Sequence, residues 1–171
     1  MAVKLIASDL DGTLLTNKKD LSPRTREALD LAAAQGIYLV PATGRSFESV
    51  PEMIREYPGV EYLITANGGA VYSVSEKKRV YQCLMTPESV DAAIAVRKRE
   101  KMVMEVVVDG VPYAEEAYVR DPIRYLATEY GARYIKATRT PVKDIIEFAA
   151  QHAKELDSIS FVCSHEDRNR L

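Results

Sequence analysis

Residues 3–15 read VKLIASDLDGTLL, and this stretch determines how the rest of the chain is interpreted. A short apolar run rich in β-forming residues ends in two aspartates, Asp9 and Asp11, which are one residue apart. Such a run predicts a buried strand that carries both carboxylates at its carboxyl end, where open α/β sheets bind their ligands. Gly12 follows because the chain must turn sharply there without a Cβ atom in the way.

Two carboxylates held this close repel each other unless a cation lies between them or one is protonated. A hard divalent ion with oxygen ligands meets this need, and we expect Mg²⁺ at Asp9 and Asp11.

Two other interpretations of the aspartate pair are weaker. One is a solvated turn, but such a turn is rarely found between a β-run and Gly-Thr-Leu-Leu. An EF-hand loop starting at Asp9 needs glycine at its sixth position and glutamate at its twelfth, whereas here glycine is fourth and Asp20 is twelfth.

The composition is that of a soluble globular protein. Of 171 residues, 47% are hydrophobic and 28% charged, and the net charge of −2 favours neither nucleic acid nor an anionic membrane as partner. Cys83 and Cys163 lack metal-ligand spacing and fit a reducing compartment. The first apolar run is cut off by Asp9, too early for a signal peptide, and no stretch is long enough to span a membrane. We therefore expect a cytoplasmic protein.

A helix and a second strand follow the first motif. After the polar loop 16–21, Ser22 is the expected N-cap, Pro23 the first helical residue and Gly36 the terminator. Residues 37–40, Ile-Tyr-Leu-Val, predict a second buried strand. A strand, a helix and a strand in this order form a βαβ unit, so the predicted fold class is α/β with a parallel sheet.

The second predicted strand ends in Pro-Ala-Thr-Gly-Arg, residues 41–45, and a helix from Ser46 to about Tyr57 is expected after it. Thr43 and Gly44 would lie between a strand end and a helix N-terminus, where free N–H groups and the helix dipole favour an anion. A turn with an N-cap would give the same pattern, and Arg45 would then be a solvated surface arginine.

A third apolar run, residues 62–65, leads into Ala-Asn-Gly-Gly at 66–69 and a short strand at 70–73. Asn67-Gly68 is a turn signal by itself, so a plain β-turn is the structural alternative to a role in binding. Three successive strands that end in polar, glycine-bearing loops predict one functional rim.

The pattern changes near Leu84, and we predict a boundary between residues 1–83 and 84–171. The elements expected after it are a helix from Thr86 to about Lys98, hairpin strands at 102–108 and 111–114, helices at about 121–130 and 141–156, and a strand at 159–163. The second segment is therefore an α+β block with an antiparallel hairpin.

Three of these motifs resemble those of one known family. The D-x-D-G-T-L run at residues 9–14 resembles the first motif of the haloacid dehalogenase superfamily, and A-T-G-R at 42–45 resembles its second motif. A-N-G-G-A at 66–70 is similar to the "SNGA" stretch of the Cof-type phosphatase branch. The resemblance implies a Rossmann-like parallel-sheet core, residues 1–83, followed by an incomplete type-two α+β cap domain, residues 84–171, which covers the active site and selects substrates.

The resemblance also implies a chemistry: Mg²⁺-dependent hydrolysis of small phosphorylated metabolites, such as sugar phosphates or phosphorylated cofactors, through an aspartyl-phosphate. Asp9 would be the nucleophile, and Asp11 would protonate the leaving alkoxide and then activate water. Both aspartates would hold the metal ion. Phosphate or substrate binding is implied for Leu10, Gly12, Thr13, Thr43, Gly44, Arg45 and Asn67.

The family pattern also has a lysine and a G-D-x-x-N-D stretch after the cap, and neither occurs in this sequence. Lys143 is the only lysine in a suggestive setting, and we interpret it as a solvated helix residue. We expect a truncated chain with weakened Mg²⁺ binding, whose first strand, residues 3–8, is an exposed apolar edge. Such an edge predicts a dimer formed through it, a rearranged sheet or poor solubility. A related phosphomutase, or an inactive fragment that acts as a binding or oligomerising module, are the alternatives.

Overall fold

The computed structural model describes residues 3–100, 102–125 and 128–164. Its contacts divide the chain into two compact units, residues 1–83 and residues 84–171. No helix in these described ranges is long and apolar enough to cross a membrane.

The first unit contains five strands and two helices, with short 3₁₀ turns between them. They are β1 (Leu5–Ser8), α1 (Pro23–Ala34), β2 (Tyr38–Pro41), a 3₁₀ turn (Phe47–Ser49), α2 (Glu52–Arg55), β3 (Tyr62–Thr65), a 3₁₀ turn (Ala66–Gly68), β4 (Ala70–Ser73) and β5 (Lys78–Gln82). The sequence-based prediction did not include β5.

Strands β1 and β2 pair in parallel, from Leu5 opposite Tyr38 to Ser8 opposite Pro41, which confirms the predicted βαβ unit. A parallel bridge between Ala42 and Ile64 places the end of β3 beside the end of β2. The carboxyl ends of three strands therefore meet at one edge. Strands β3, β4 and β5 form a separate antiparallel sheet.

Helix α1 has the predicted capping residues. The Ser22 hydroxyl oxygen accepts a hydrogen bond from the Thr25 N–H at 3.1 Å, and Pro23 is the first helical residue. Gly36 has a φ of +70°, a conformation that favours glycine after a helix. Ala32 is buried in a core made with side chains from loops, strands and helix α2, including Leu10, Leu15, Leu39, Ile54 and Leu63.

The helix predicted from Ser46 to about Tyr57 is wrong. The structure has the 3₁₀ turn at Phe47–Ser49 and then only the single-turn helix α2. Pro51 is the cause, because a proline disfavours helical geometry at the preceding residue and cannot donate a helical hydrogen bond. Val50 accordingly has extended backbone angles.

Strand β1 lies at the edge of its sheet among the described strands, as expected. The exposed fractions of Val3, Leu5 and Ile6 are 62%, 51% and 39%, so this edge is apolar and accessible in the first unit. Pairing of the edge with another chain stays a prediction.

The second unit is a four-stranded sheet with helices on both faces. Its elements are α3 (Pro87–Glu100), β6 (Val103–Val108), β7 (Val111–Glu115), α4 (Glu116–Arg120), a 3₁₀ turn (Pro122–Tyr125), α5 (Glu129–Thr138), β8 (Thr140–Val142), α6 (Ile145–Gln151) and β9 (Leu156–Val162), and the strand order is β8-β7-β6-β9. The predicted hairpin is confirmed: β6 and β7 are antiparallel, and Asp109 and Gly110 at the turn both have positive φ.

Two helix predictions in this unit are wrong. Gly131 does not close a helix at 121–130. It lies in the first turn of α5, where its N–H donates to the Thr128 N-cap hydroxyl at 3.0 Å. The helix predicted from Pro141 begins only at Ile145, because Pro141 lies in the short strand β8 and Asp144 caps the helix.

Candidate active site

The loop after β1 is a tight turn that presents Asp9. The Thr13 hydroxyl lies 3.4 Å from an Asp9 carboxylate oxygen, and the Leu14 N–H donates to the Asp9 carbonyl at 3.3 Å. Gly12 has a φ of +88°, and no atom lies within 4 Å of the position that a Cβ would take. Glycine is therefore required here for its backbone angle and not for space. The Leu10 side chain is fully buried in the core, so only its backbone can serve the site.

The loops after β2 and β3 are joined by backbone hydrogen bonds. The Thr43 N–H donates to the Ile64 carbonyl at 2.9 Å, and the Asn67 N–H donates back to the Thr43 carbonyl at 3.2 Å. The Ala66 N–H donates to the Arg45 carbonyl at 2.9 Å. These bonds hold Ala66 and Asn67 at φ values of +50° and +55°, which non-glycine residues rarely adopt. Such strain is maintained where the surroundings fix the loop, often at functional sites.

An open pocket lies between the three strand ends. It is lined by Asp9, Ala42, Thr43, Gly44, Ile64, Asn67 and Gly68. The structure thus brings together four of the residues predicted from sequence: Asp9, Thr43, Gly44 and Asn67. The buried Thr43 hydroxyl oxygen accepts from the Arg45 N–H at 3.2 Å, which leaves its own proton to donate to an anion in the pocket.

Gly44 is packed against the side chain of Asn67. A Cβ on Gly44 would lie 2.7 Å from Asn67 Oδ1, closer than non-bonded atoms tolerate. The missing side chain at position 44 therefore leaves the room in which the Asn67 amide lies beside the pocket. Sequence spacing alone could not predict this contact, because the two residues come from different loops.

Arg45 is directed at Asp11. Arg45 Nε donates to Asp11 Oδ2 at 2.7 Å, and Nη2 donates to Oδ1 at 2.8 Å, so the guanidinium and carboxylate form a bidentate ion pair. The third nitrogen, Nη1, donates to the Ser49 carbonyl at 3.0 Å. That carbonyl belongs to the 3₁₀ turn before Pro51, so the break in the predicted helix provides the acceptor that orients Arg45.

Lys19 also contacts Asp11, with Nζ 2.6 Å from Oδ1. Both carboxylate oxygens are therefore bound by cationic side chains. The hydrogen bond from Arg45 is the largest cause that holds the pKa of Asp11 well below its usual range, and Lys19 lowers that pKa further against the opposing effect of burial. Asp11 is a carboxylate in this arrangement, and both cations oppose its protonation.

The sequence singled out Arg45 as a cation near phosphate, but it gave no indication that Lys19 would reach Asp11. In the sequence, Lys19 is one of several polar residues in the loop 16–21. A charged residue in a loop directly after the motif is the only signal, and Lys18 carries the same signal.

The donor set of the pocket suits Mg²⁺ in part. Mg²⁺ is commonly held by one or two carboxylates together with water and substrate phosphate, and the exposed Asp9 carboxylate lines the pocket. A metal ion at the Asp11 side chain would compete with Arg45 and Lys19. Across the described residues, no group of three or more His, Cys, Asp or Glu side chains is placed to hold a metal ion.

The sequence is similar to those of several known proteins. A haloacid dehalogenase-like hydrolase family model matches residues 6–171. Pyridoxal phosphate phosphatase YbhA of Escherichia coli is 28% identical over 174 aligned positions, which cover all of this chain and 62% of the relative. The 5-amino-6-(5-phospho-D-ribitylamino)uracil phosphatase YcsE of Bacillus subtilis is 39% identical over 70 residues, 41% of this chain and 28% of the relative.

Solved structures show the same fold. A haloacid dehalogenase-like hydrolase from Bacteroides thetaiotaomicron has a TM-score of 0.65 at 26% identity, covering 85% of this chain and 54% of its own. The subclass IIB sugar phosphatase BT4131 has a TM-score of 0.74 at 20% identity, covering 98% of this chain and 62% of its own.

A parallel sheet whose strand ends carry an aspartate pair and a threonine loop has the arrangement in which open α/β sheets bind their ligands. This chain belongs to the haloacid dehalogenase-like hydrolase family, in its Cof-type branch. The resemblance and the fold class predicted from sequence are therefore confirmed. The chain spans between about a quarter and two thirds of the length of the curated relatives described above.

Proposed function

We propose that this protein is a phosphatase that hydrolyses small phosphorylated metabolites through an aspartyl-phosphate on Asp9. The observation that carries the proposal is the pocket that Asp9, Thr43 and Asn67 line together. A carboxylate beside hydrogen-bond donors suits a nucleophile that faces a phosphoryl group.

In the first step, an Asp9 oxygen attacks phosphorus and the bond from phosphorus to the ester oxygen breaks. Asp11 donates a proton to the leaving alkoxide, which departs as an alcohol. In the second step, water attacks the phosphorus of the aspartyl-phosphate and passes a proton to Asp11. Inorganic phosphate and the free Asp9 carboxylate are released, and Asp11 again carries the proton that the next cycle uses.

The neighbouring residues have separate tasks in these steps. Thr43 and Asn67 bind phosphate oxygens from the side of the second and third loops. Thr13 holds the Asp9 carboxylate through its hydroxyl, and Gly12 allows the turn between the two aspartates. Arg45 and Lys19 favour the carboxylate form of Asp11, which the second step uses, while the negative charge of the bound phosphate favours the protonated form that the first step uses.

We propose Asp9 as the carboxylate that would hold Mg²⁺ together with the substrate phosphate, while the Asp11 side chain stays with Arg45 and Lys19. When bound, the ion would neutralise negative charge on the transferring phosphoryl group. The requirement of hydrolysis for Mg²⁺ is tested by removing the metal with a chelator and adding Mg²⁺ back.

The substrate class is inferred from the relatives. Two of them are named for pyridoxal phosphate and for a phosphorylated ribitylaminouracil, which are small phosphate monoesters. We propose that the second unit acts as the cap domain that discriminates between such substrates, and that the protein works in the cytoplasm.

The test is hydrolysis of an aryl phosphate and of pyridoxal phosphate by the purified chain, with the Asp9→Asn variant beside it. Asp20→Asn is the matched control, since Asp20 pairs with Arg26 and not with the pocket residues. We expect Mg²⁺-dependent turnover and a phosphoryl mass on the peptide that contains Asp9, both lost in Asp9→Asn alone. A folded chain that shows neither turnover nor label would overturn the proposal for this chain.

A further inference from the structure

Lys19 brings a second cation to the carboxylate of Asp11. We propose that Lys19 is a positioning residue, which with Arg45 holds Asp11 in place to receive the proton of the water that attacks the aspartyl-phosphate. This role rests on the phosphatase function proposed above.

The contact is short and partly shielded. Lys19 Nζ lies 2.6 Å from Asp11 Oδ1, and the exposed fractions of the two side chains are 32% and 35%. The same oxygen accepts from Arg45 Nη2 at 2.8 Å, while Oδ2 accepts from Arg45 Nε. With three donors on two oxygens, the carboxylate has little freedom to rotate, and removal of Lys19 would leave it held from the Arg45 side alone.

The loop is built to deliver this ammonium group. The Lys19 N–H donates to the Thr16 carbonyl at 2.8 Å, and the Thr16 N–H donates to the Asp20 carbonyl at 2.8 Å. The Thr16 hydroxyl oxygen accepts from the N–H groups of Lys18 and Asp20. Within this closed turn Lys19 has a φ of +61°, a conformation disfavoured for lysine.

Positive φ alone does not make a functional residue, and the chain provides the comparison. Lys77 has a φ of +49° in the turn before β5, where its N–H donates to the Val74 carbonyl. Both turns would accept glycine or asparagine more readily than lysine. The difference is that the Lys19 ammonium group reaches a carboxylate of the site, which glycine or asparagine could not do.

The two steps of the reaction depend differently on such a residue. Formation of the aspartyl-phosphate determines kcat/KM, while its hydrolysis contributes to kcat. Formation of the aspartyl-phosphate uses Asp11 as the neutral acid, with which a cation pairs only weakly, whereas hydrolysis needs Asp11 as a fixed carboxylate that accepts a proton. Loss of Lys19 should therefore slow the second step, so that kcat falls and phosphorylated Asp9 accumulates during turnover.

The variants Lys19→Met, Lys19→Gly and Lys19→Arg separate the charge from the backbone. We expect Lys19→Met and Lys19→Gly to lower kcat about 10-fold, a part of the ~10²- to 10⁴-fold that proton transfer contributes, with kcat/KM within about 2-fold of wild type. Lys19→Arg should recover much of kcat. Acid-quenched samples analysed by mass spectrometry should show more phosphorylated Asp9 peptide in the first two variants.

Lys18→Met and Lys77→Gly are the controls for charge near the site and for relief of a positive φ. Wild-type kinetics in both controls support the proposal. A wild-type kcat in Lys19→Gly, an equal fall of kcat and kcat/KM, or the same defect in Lys18→Met would overturn it.

A second measurement does not require activity. If Lys19 pairs with Asp11, the melting temperatures of Lys19→Met, Asp11→Asn and the double variant should be non-additive, because the second change removes a contact already lost. Should the wild-type chain hydrolyse no phosphate ester, the proposed function fails, yet non-additive shifts still support the pairing. Additive shifts would overturn the pairing and with it the positioning role.

Discussion

The guanidinium of Arg45 forms a bidentate ion pair with the carboxylate of Asp11, with nitrogen–oxygen distances of 2.7 and 2.8 Å. The Arg45 side chain is only 13% exposed, and its remaining terminal nitrogen donates to the Ser49 carbonyl. Arg45, the cation expected at the phosphate, thus pairs with Asp11, the proposed acid–base residue. Its charge would act on substrate mainly through Asp11.

Replacement of Arg45 should lower kcat more than it changes KM. Arg45→Met removes both donors to Asp11, and we expect about a 100-fold loss of kcat, while Arg45→Lys keeps the charge without the bidentate geometry and should lose about 10-fold. KM should change little, because the guanidinium is not among the residues that line the pocket. Steady-state kinetics with a phosphate monoester measure both constants.

Arg55→Met is the control for the Arg45 variants. Arg55 contacts Glu48 and lies over the Phe47 ring, in the same segment but without a contact to Asp11. Its kinetics should match wild type. A large rise in KM with an unchanged kcat in Arg45→Met would instead assign Arg45 to direct phosphate binding.

Gly44→Ala should weaken substrate binding with little effect on folding. The new Cβ would meet Asn67 Oδ1 at 2.7 Å and displace the amide from the pocket, while the backbone angles of Gly44 are open to alanine. We expect KM to rise about 10-fold, equivalent to the loss of roughly one hydrogen bond. Steady-state kinetics measure KM, and a thermal melt of the same sample measures whether folding is affected.

Two further variants test whether Gly44→Ala acts through Asn67. Asn67→Ala should raise KM similarly, and the double variant should be no worse than either single one. Gly36→Ala is the opposite control: it adds strain at a φ of +70° without crowding any neighbour, so it should lower the melting temperature and leave KM unchanged. Additive KM effects at positions 44 and 67 would contradict the steric explanation.

Local sequence was enough for the parts of the site that one strand and one turn determine. Gly12 with its positive φ and the capped helix from Pro23 depend on neighbours in sequence, and the structure has both as predicted. The same holds for the β6–β7 hairpin, whose turn residues Asp109 and Gly110 carry their own signal. The strand before the two aspartates is present as well, but it is exposed and not buried as its apolar run predicted.

Contacts between loops were beyond the sequence pattern. Arg45 reaches Asp11 across 34 residues, and its orientation depends on a carbonyl released by the helix break at Pro51. In the sequence, Pro51 conflicts with the helical spacing of the residues around it. The effect of proline on the preceding residue prevails in the structure. Lys19 illustrates the same limit, because a left-handed backbone angle determines where its ammonium group lies.

Tyr57 should make stability depend on alkaline pH. Burial, aided by the hydrogen bond to Asp30 Oδ1 at 2.7 Å, raises the pKa of Tyr57 to about 12 from its ordinary value near 10. A raised folded-state pKa stabilises the protein below the unfolded-state value, and that contribution is lost as pH rises through the folded-state value. The advantage of wild type over Tyr57→Phe should therefore be full at about pH 8 and shrink between about pH 10 and pH 12.

Thermal melts across this range measure the Tyr57 effect. Tyr81→Phe is the control for loss of a tyrosine hydroxyl, because Tyr81 is 56% exposed. A constant gap between wild type and Tyr57→Phe up to about pH 12 would show that the Tyr57 proton is not held more tightly in the folded state.

The second unit contains a largely buried ion pair whose removal should be strongly asymmetric. Arg139 donates to Glu105 through Nε at 3.1 Å and Nη2 at 2.8 Å, with exposed fractions of 14% and 11% for the two side chains. Arg139→Met leaves a buried carboxylate without its partner and should lower the free energy of unfolding by about 3 kcal/mol. The double variant Glu105→Leu/Arg139→Met replaces both charges by apolar groups, but it also removes the Glu105 carboxylate from the buried Tyr118 hydroxyl, so it should recover only to within about 2 kcal/mol of wild type. Urea unfolding at neutral pH measures all three proteins, and Lys78→Met, which removes the exposed pair with Glu76, should leave stability unchanged. A double variant that is less stable than Arg139→Met would show that the pair stabilises this sheet by more than the cost of burying its charges.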